Sequence, residues 1–111
     1  MAKLETKLTG NFHIILSRIT SAVMSGSVTA TLEDSSDFGQ EGCRCAVRVF
    51  ERYSSLGGNR VSLNITLFER GDELFLSAIS SGGSQGMFIK MNTFGESSFL
   101  DTIRETVREF L

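Results

Sequence analysis

The chain has 111 residues, of which 41% are hydrophobic and 22% charged, and its net charge at pH 7 is −2. This length allows one small hydrophobic core, so we interpret residues 1–111 as a single α+β domain. The composition excludes a disordered chain, and the slight acidity predicts no general attraction to nucleic acid. The sequence contains neither a run of ~18 apolar residues nor a signal-peptide pattern, so we expect a cytoplasmic protein with no membrane partner.

A strand and a helix are predicted in the first quarter of the chain. Residues 3–9 alternate, with Leu4, Thr6 and Leu8 on one side and charged residues on the other, which is typical of a half-buried strand. Asn11 is placed to cap a helix over about residues 12–25, and Gly26 follows as its stop. The apolar face of this helix is predicted to consist of Phe12, Ile15, Leu16, Ile19 and Val23.

Four segments rich in β-branched and aromatic residues come next: "SVTATLE", "CRCAVRVFERY", "RVSLNITLFE" and "ELFLSAIS". The short segment "MFIKM" is a possible further strand. A second helix is predicted after it, where Thr93 and Glu96 have capping-box spacing. Its apolar stripe consists of Phe99, Leu100, Ile103, Val107 and Phe110. The predicted fold is α+β, an antiparallel sheet of five or six strands with two helices on one face, in the order β-α-β-β-β-β-α.

The turns predict how the strands align. A two-residue loop at Gly71 and Asp72 pairs Phe68 with Phe75, and Leu67 with Leu76, on opposite faces. In the preceding hairpin we assign Val47 and Val49 to the core face, which requires a bulge or an odd number of residues in the loop.

That assignment places Arg44, Arg48, Phe50 and Arg52 on the outer face of the sheet. Phe50, Phe68, Phe75 and Ile79 then form an exposed apolar patch with Arg44 beside it. A second copy of the chain, a ligand, or the remaining strand and loop are the three ways to cover such a patch. The first hypothesis is therefore a non-enzymatic protein that forms a homodimer through this face.

The second hypothesis is a binding site for an anionic metabolite. Arginine side chains and backbone N–H groups recognise carboxylates and phosphates. The residues assigned to this site are Arg48, Arg52, Asn64, Gly82, Gly83, Ser84 and Gln85. A phosphate-binding loop of the strand-to-helix kind is disfavoured, because no Gly-Lys-Ser/Thr occurs and "MFIKM" reads as extended. The glycines are instead interpreted as a bend between strands.

No catalytic residues, cofactor or metal site are predicted. His13 is the sole histidine and lies in the exposed first turn of a helix, so a nucleophile has no evident base. Cys43 and Cys45 point the same way along a strand, too far apart for an unstrained disulfide. We interpret them as buried structural cysteines, with a redox or intersubunit metal role as the alternative.

The remaining acidic residues are interpreted structurally. Glu33, Asp34, Asp37 and Glu41 fall in "EDSSDFGQE", which lacks the spacing of a calcium loop and reads as a solvated connection. Glu51 is assigned to the covered side of its strand, where Arg60 or Asn59 can partner it. Aligned arginines and phenylalanines also invite a nucleic-acid interpretation, but acids outnumber bases and no RNA-binding aromatic motif is present.

Over the segments "GSVTATLEDSSDF", "CAVRVFERYSSLGGNRVSLNITL" and "SAISSGGSQGMFIKMNTFGESSFL" the chain resembles a family of small bacterial proteins known as a domain of unknown function. The resemblance covers nearly the whole chain and implies a bacterial cytosolic protein, without implying an activity. The order of elements is also similar to that of TATA-binding-protein-like folds, in which a curved sheet carries two helices on one side. Function does not follow from that similarity of fold.

Overall fold

The structure, a computed structural model, describes residues 1–53, 59–82 and 89–111, with only the backbone of residues 89–96. Five strands and two helices follow one another along the chain. They are β1 (Ala2–Leu8), α1 (Phe12–Ser25), β2 (Thr31–Gln40), β3 (Cys43–Tyr53), β4 (Arg60–Arg70), β5 (Glu73–Gly82) and α2 (Ile89–Arg108). The fold is α+β with the predicted order of elements.

The five strands form one antiparallel sheet in the spatial order β1-β5-β4-β3-β2. Consecutive strands from β2 to β5 are neighbours, and β1 completes the sheet beside β5. Helix α1 therefore carries the chain from one edge of the sheet to the other. Strands β1 and β2 run in the same direction at opposite edges, because each successive pair between them is antiparallel.

Helix α1 forms for the reasons that its sequence suggests. The Asn11 side chain caps it by accepting a hydrogen bond from the Ile14 N–H at 3.0 Å, and the helix ends before Gly26. Its predicted apolar face is buried in full. Helix α2 buries Phe99, Leu100, Ile103 and Val107, while Phe110 lies half-buried just beyond the helix end.

Both helices pack on the same face of the sheet, and the core lies between them and strands β1, β5 and β4. On β4 the core residues are Val61, Leu63, Ile65 and Leu67, each at most 1% exposed. On β5 they are Leu74, Leu76 and Ala78. This alternation confirms the register predicted from the Gly71–Asp72 loop, with Phe68 opposite Phe75 and Leu67 opposite Leu76.

The predicted register of β3 is wrong by one residue. Tyr53 pairs with Arg60 and Phe50 with Leu63, so the connection at 54–59 contributes an even number of residues, and the β3–β4 pairing runs without a bulge. Ala46 and Phe50, both fully buried, therefore face the helices. Val47 and Val49 lie on the opposite face. A phenylalanine fills the space under two helices better than a valine does. The arginine side chains on the same face of β3 extend past the edge of the core.

Two boundaries also differ from the prediction. Strand β2 runs through Glu33, Asp34 and Asp37, the stretch interpreted as a loop, and only Glu41 and Gly42 form the turn. All ten β2 residues are exposed, so a polar sequence is compatible with an edge strand that has two solvated faces. Residues 89–91 of "MFIKM" belong to α2 rather than to a strand, and residues 87 and 88 lie outside the described part of the chain.

Candidate functional site

The sheet face opposite the helices is the main candidate surface, and we call it the open face. Its side chains alternate with the core residues along each strand. The register groups them into three rows that cross all five strands in the order β1, β5, β4, β3, β2. The rows are Lys7-Phe75-Phe68-Cys45-Phe38, Glu5-Ser77-Thr66-Val47-Ser36 and Lys3-Ile79-Asn64-Val49-Asp34.

Aromatic side chains dominate the first row. The rings of Phe68 and Phe75 stack with centroids 6.3 Å apart and planes inclined by 29°. Beside them lies a depression of about 390 Å³, whose walls include Glu5, Lys7 and Ser77. At the β2 end of the row, Phe38 is 61% exposed, which is high for a ring of this size. The open face thus presents both an apolar hollow and an exposed aromatic side chain.

Charged residues frame this apolar area. Lys7 Nζ lies 3.0 Å from Glu73 and 5.6 Å from the centre of the Phe75 ring, and Arg70 approaches both groups from β4. Hydrogen bonds from Arg70 and then Lys7 lower the pKa of Glu73 below its ordinary value. Lys3, Glu5 and Lys7 line the β1 edge, whereas Asp34 is the acid that the β2 edge contributes to the three rows. Within the three rows, two lysines and one glutamate give the β1 edge a net charge of +1, and Asp34 gives the β2 edge a charge of −1.

The structure brings together three of the five residues predicted for an interface. Phe68, Phe75 and Ile79 share the open face, as the β4–β5 register requires. The assignment of Phe50 and Arg44 to this face is wrong, because β3 has the opposite register and both project toward the helices. Phe50 is completely buried in the core and is not available to a partner.

Arg44 belongs instead to an ion-pair network at the end of the sheet. Its guanidinium donates to both carboxylate oxygens of Glu69, at 2.7 and 3.0 Å, and Glu69 also accepts the Gly42 N–H at 3.0 Å. These hydrogen bonds, led by that of Arg44, hold the pKa of Glu69 below its ordinary value. Arg44 also donates to His13 Nε2 at 2.6 Å and lies 4.9 Å above the Phe12 ring. The network joins α1, β3, β4 and a turn.

The residues predicted for anion binding are divided between the two faces. Arg48 faces the helix side, where it donates to Asp37 at 2.9 Å and to the Val47 carbonyl at 2.9 Å. It lines a groove of about 360 Å³ between α1 and the β2–β3 hairpin. Asn64 lies on the open face and accepts a hydrogen bond from Thr66 at 3.1 Å. Arg48 and Asn64 therefore do not share a site.

Arg52 has a different environment from the other two arginines of β3. It donates to Ser98 Oγ at 3.0 Å, and its guanidinium lies 4.5 Å from the centre of the Phe99 ring. Burial lowers its pKa, and the described residues pair it with no carboxylate. Gly82 shares its row across the sheet through Val61. The predicted ligands Gly83, Ser84 and Gln85 lie outside the described residues.

The two cysteines are free thiols, and the interpretation of both as buried structural residues is wrong. Cys43 is exposed and Cys45 half-buried on the open face, where burial raises the pKa of the Cys45 thiol. Glu51 also lies on the open-face side rather than on the covered side, although its predicted ion pair with Arg60 forms at 2.6 Å. Within residues 1–53, 59–82 and 89–111, no three metal-ligating side chains are grouped.

Sequence reasoning missed several members of the open face. The wrong register of β3 puts Val47, Val49 and Cys45 on the core face. The interpretation of the acidic segment as a loop leaves Phe38 out of the sheet. One signal for the correct register is the phenylalanine at position 50, which is larger than the valines assigned to the core in its place. The strand at Phe38 has no comparable signal, since its neighbours are acids, serines and glycine.

No curated protein and no solved structure matches this chain. Among the residues that the structure describes, neither helix is long and apolar enough to span a bilayer. A family match, in contrast, extends from residue 1 to residue 111. The chain belongs to the family of unknown function DUF6054.

Proposed function

We propose that this protein is a cytoplasmic, non-enzymatic module that forms a homodimer, and that the open face is the contact. The observation that carries the proposal is the row of Phe75, Phe68, Cys45 and Phe38 on the side of the sheet opposite both helices. A contiguous group of large apolar side chains on a sheet surface usually has a partner in a soluble protein. Two free thiols among the described residues suit a reducing compartment.

The size of the open face suits a second copy. Five strands at ~4.8 Å spacing and about seven residues of ~3.3 Å each give roughly 550 Å² per copy before side-chain relief is added. A stable interface of standard size buries about 600–1,000 Å² per partner. The face combines an aromatic row with charged residues at its edges, the two kinds of side chain that interfaces use in their buried and peripheral parts.

Charge favours a second copy of this chain over a strongly charged partner. In the three rows the β1 edge has two lysines and one glutamate and the β2 edge has an aspartate, while the middle strands contribute uncharged side chains. Such a surface is complementary to itself when the two edges meet. A nucleic acid would instead require a basic surface across the face.

The test compares the wild-type protein with two variants by sedimentation. We expect the wild-type protein to be a dimer and Phe68→Glu to be a folded monomer, because the new carboxylate would be buried without a partner. Ile14→Glu is the matched control, since Ile14 is 56% exposed on α1 and receives the same charge away from the open face. It should stay dimeric.

Thr66→Lys provides a second disruption at the centre of the open face, should Phe68→Glu fail to fold. Circular dichroism establishes that each variant retains the fold. A monomeric wild-type protein at high concentration, or folded Phe68→Glu and Thr66→Lys variants that remain dimeric, would rule out the open face as the contact.

A second candidate function is the binding of a small carboxylate or phosphate at Arg52. The half-buried guanidinium without a carboxylate partner among the described residues favours it. Inorganic phosphate and citrate should then raise the melting temperature of the wild-type protein but not of Arg52→Met. Arg104→Met is the control, because Arg104 pairs with Asp101 on the exposed side of α2. Equal shifts in both variants would exclude Arg52 as the site.

A further inference from the structure

We infer that the two copies stack face to face about a two-fold axis parallel to the strands and above β4, with Phe38 of each copy entering the open-face depression of the other. This inference rests on the proposed function. It adds the orientation of the copies and the residue that fits the hollow, neither of which follows from self-association alone.

A symmetric pair of stacked sheets has two simple arrangements, because the two-fold axis lies between the sheets and runs either along or across the strands. An axis along the strands places each row over the same row of the other copy. The order of the strands is reversed, so β1 faces β2 and β5 faces β3. An axis across the strands places each strand over its own copy and exchanges the first row with the third. The three rows of the open face therefore distinguish the two arrangements.

The axis along the strands gives compatible partners throughout the third row. In the third row Lys3 faces Asp34 of the other copy, Ile79 faces Val49, and Asn64 faces its own symmetry mate. Lysine and aspartate form an ion pair, the two aliphatic side chains exclude water, and two amides hydrogen-bond to each other. The match is a consequence of the register, which puts Lys3 and Asp34 at opposite ends of one row.

The axis across the strands keeps apolar pairs at Ile79 and Val49 but gives a poor match at the three polar positions of the same row. Lys3 would face Lys7 of the other copy, Asn64 would face Phe68, and Asp34 would face Phe38. An amide and a carboxylate would then lose water against aromatic rings without gaining hydrogen bonds. Like charges at the β1 edge would also repel each other. This arrangement is disfavoured on all three counts.

The first row identifies what fills the depression. With the axis along the strands, Phe38 of one copy faces Lys7 and lies next to Phe75 of the other. Those two residues line the depression of about 390 Å³, together with Phe68. An exposed phenylalanine thus meets a hollow that has an aromatic wall and a lysine at its margin, which suits both stacking and a cation–π contact.

The twist of the sheets does not remove these contacts. Stacked sheets are about 10 Å apart and rotated by about 30°, and the edge strands lie about 10 Å from the axis. The rotation therefore displaces opposite edge residues by about 5 Å. Lysine and phenylalanine side chains extend far enough to accommodate that displacement.

Crosslinking tests the orientation directly. In a Cys43→Ser, Cys45→Ser background that sedimentation shows to be dimeric, one chain carries Lys3→Cys and a second chain carries Asp34→Cys. A short bismaleimide should join the two chains when they are mixed and should join neither chain to itself. Glu5→Cys is the opposing probe, because Glu5 faces its own symmetry mate only if the axis runs across the strands. Self-crosslinking of Glu5→Cys, or no product from the mixture, overturns the inferred orientation.

A pair of variants on β2 tests the role of Phe38. Phe38→Ser should weaken dimerisation at least about tenfold, as expected for an aromatic ring that fills a hollow of the partner copy. Leu32→Ser is the matched control, since Leu32 is 44% exposed on the same strand but pairs with Phe50 on the helix side. Equal dissociation constants for the two variants would exclude Phe38 from the contact.

These results separate the orientation from self-association itself. If Phe68→Glu dissociates the dimer but the crosslinks and Phe38→Ser do not behave as expected, the inferred orientation is wrong and the open-face contact stands. If the wild-type protein is a monomer, both proposals are wrong.

Discussion

The two halves of the sheet differ in how they are buried. In the half formed by β1, β5 and β4, both helices cover one face, and every core residue of β4 is at most 1% exposed apart from Glu69 at the end. In the other half, β2 has ten exposed residues out of ten. Strand pairing is equally regular in both halves, apart from one irregularity between Leu32 and Asp34. Burial in this protein therefore depends on helix coverage and not on membership of the sheet.

Strand β3 lies at the boundary between these halves. On its helix side, fully buried Ala46 and Phe50 alternate with half-buried Arg44, Arg48 and Arg52. Long arginine side chains suit such a boundary because their methylene groups can lie over apolar surface while the guanidinium reaches a carboxylate, an aromatic ring or water. The same strand therefore contributes to the core and to a polar margin from one face.

The largest difference in the free energy of unfolding is expected between alanine variants of Phe50, on the helix side of the sheet, and of Phe68, on the open face. Phe50→Ala should lower the free energy of unfolding by about 3–5 kcal/mol, because it leaves a cavity in a fully buried site. Phe68→Ala should cost about 1 kcal/mol in the folded monomer, since its ring is already partly solvated. Urea denaturation of both variants in a Thr66→Lys background measures the monomer alone. Equal losses would contradict the assigned register of β3.

A smaller, more local loss is expected in the β2–β3 hairpin. Gly39 and Gly42 have φ angles of +92° and +88°, so alanine is strained by on the order of 1 kcal/mol at either position. At Gly39 an added Cβ would also lie 2.0 Å from the Cys43 carbonyl oxygen, whereas at Gly42 it would meet open space. Gly39→Ala should therefore be the more damaging change. Hydrogen exchange should accelerate in β2 and hardly at all in β1 or β5; a uniform acceleration would show that the two halves unfold together.

The Arg44–Glu69 pair connects the two halves, and acid should weaken it. Because the folded-state pKa of Glu69 lies below its ordinary value, the unfolded chain takes up this proton first as the pH falls. The stabilisation is present above the ordinary pKa of about 4.3 and is lost as the pH falls through the folded value. The stabilisation should be lost roughly between pH 5 and pH 3. The melting temperature of Glu69→Gln should thus decline less over this range than that of the wild-type protein. Glu105→Gln, at an exposed site on α2, should follow the wild-type curve.

The smallest effect is expected at Arg48, where charge and side-chain length can be separated. Arg48→Met keeps a long apolar side chain and loses the contact with exposed Asp37, so it should cost less than about 1 kcal/mol. Arg48→Ala also removes the packing of the methylene groups and should cost more. Thermal unfolding compares the two variants. An equal loss of stability in the two variants would mean that the polar contacts of Arg48, and not the packing of its methylene groups, stabilise this part of the fold.

The elements that the sequence predicts well are those with a strong local signal. The Asn11 cap and the stripe of five apolar residues define α1, and the two-residue loop at Gly71 and Asp72 sets the β4–β5 register. From that register the presence of Phe68, Phe75 and Ile79 on one face follows directly. Roughly half of the open face was therefore predictable.

The other half was not predictable because its local signals are ambiguous. Both faces of β3 contain apolar residues. The sequence of the connection at 54–59 does not show whether an odd or an even number of residues separates the paired positions. In β2, acids and serines are as compatible with a loop as with a solvated edge strand. The glycine-rich segment before α2 suggested a bend between strands, but the helix begins at Ile89.

By itself, the sequence determined the α+β class, the order of the elements, the helix faces and one hairpin, because each depends on residues close together in the chain. Only the tertiary structure decided which side of β3 faces the core, since that choice depends on how Phe50 and the arginines fit beneath Phe12 and Phe99 of the helices. The same choice brought Val47, Val49 and Cys45 to the open face. The physical reason is that side chains alternate between the two faces of a strand. A shift of one residue in register therefore moves every side chain of the strand to the opposite face.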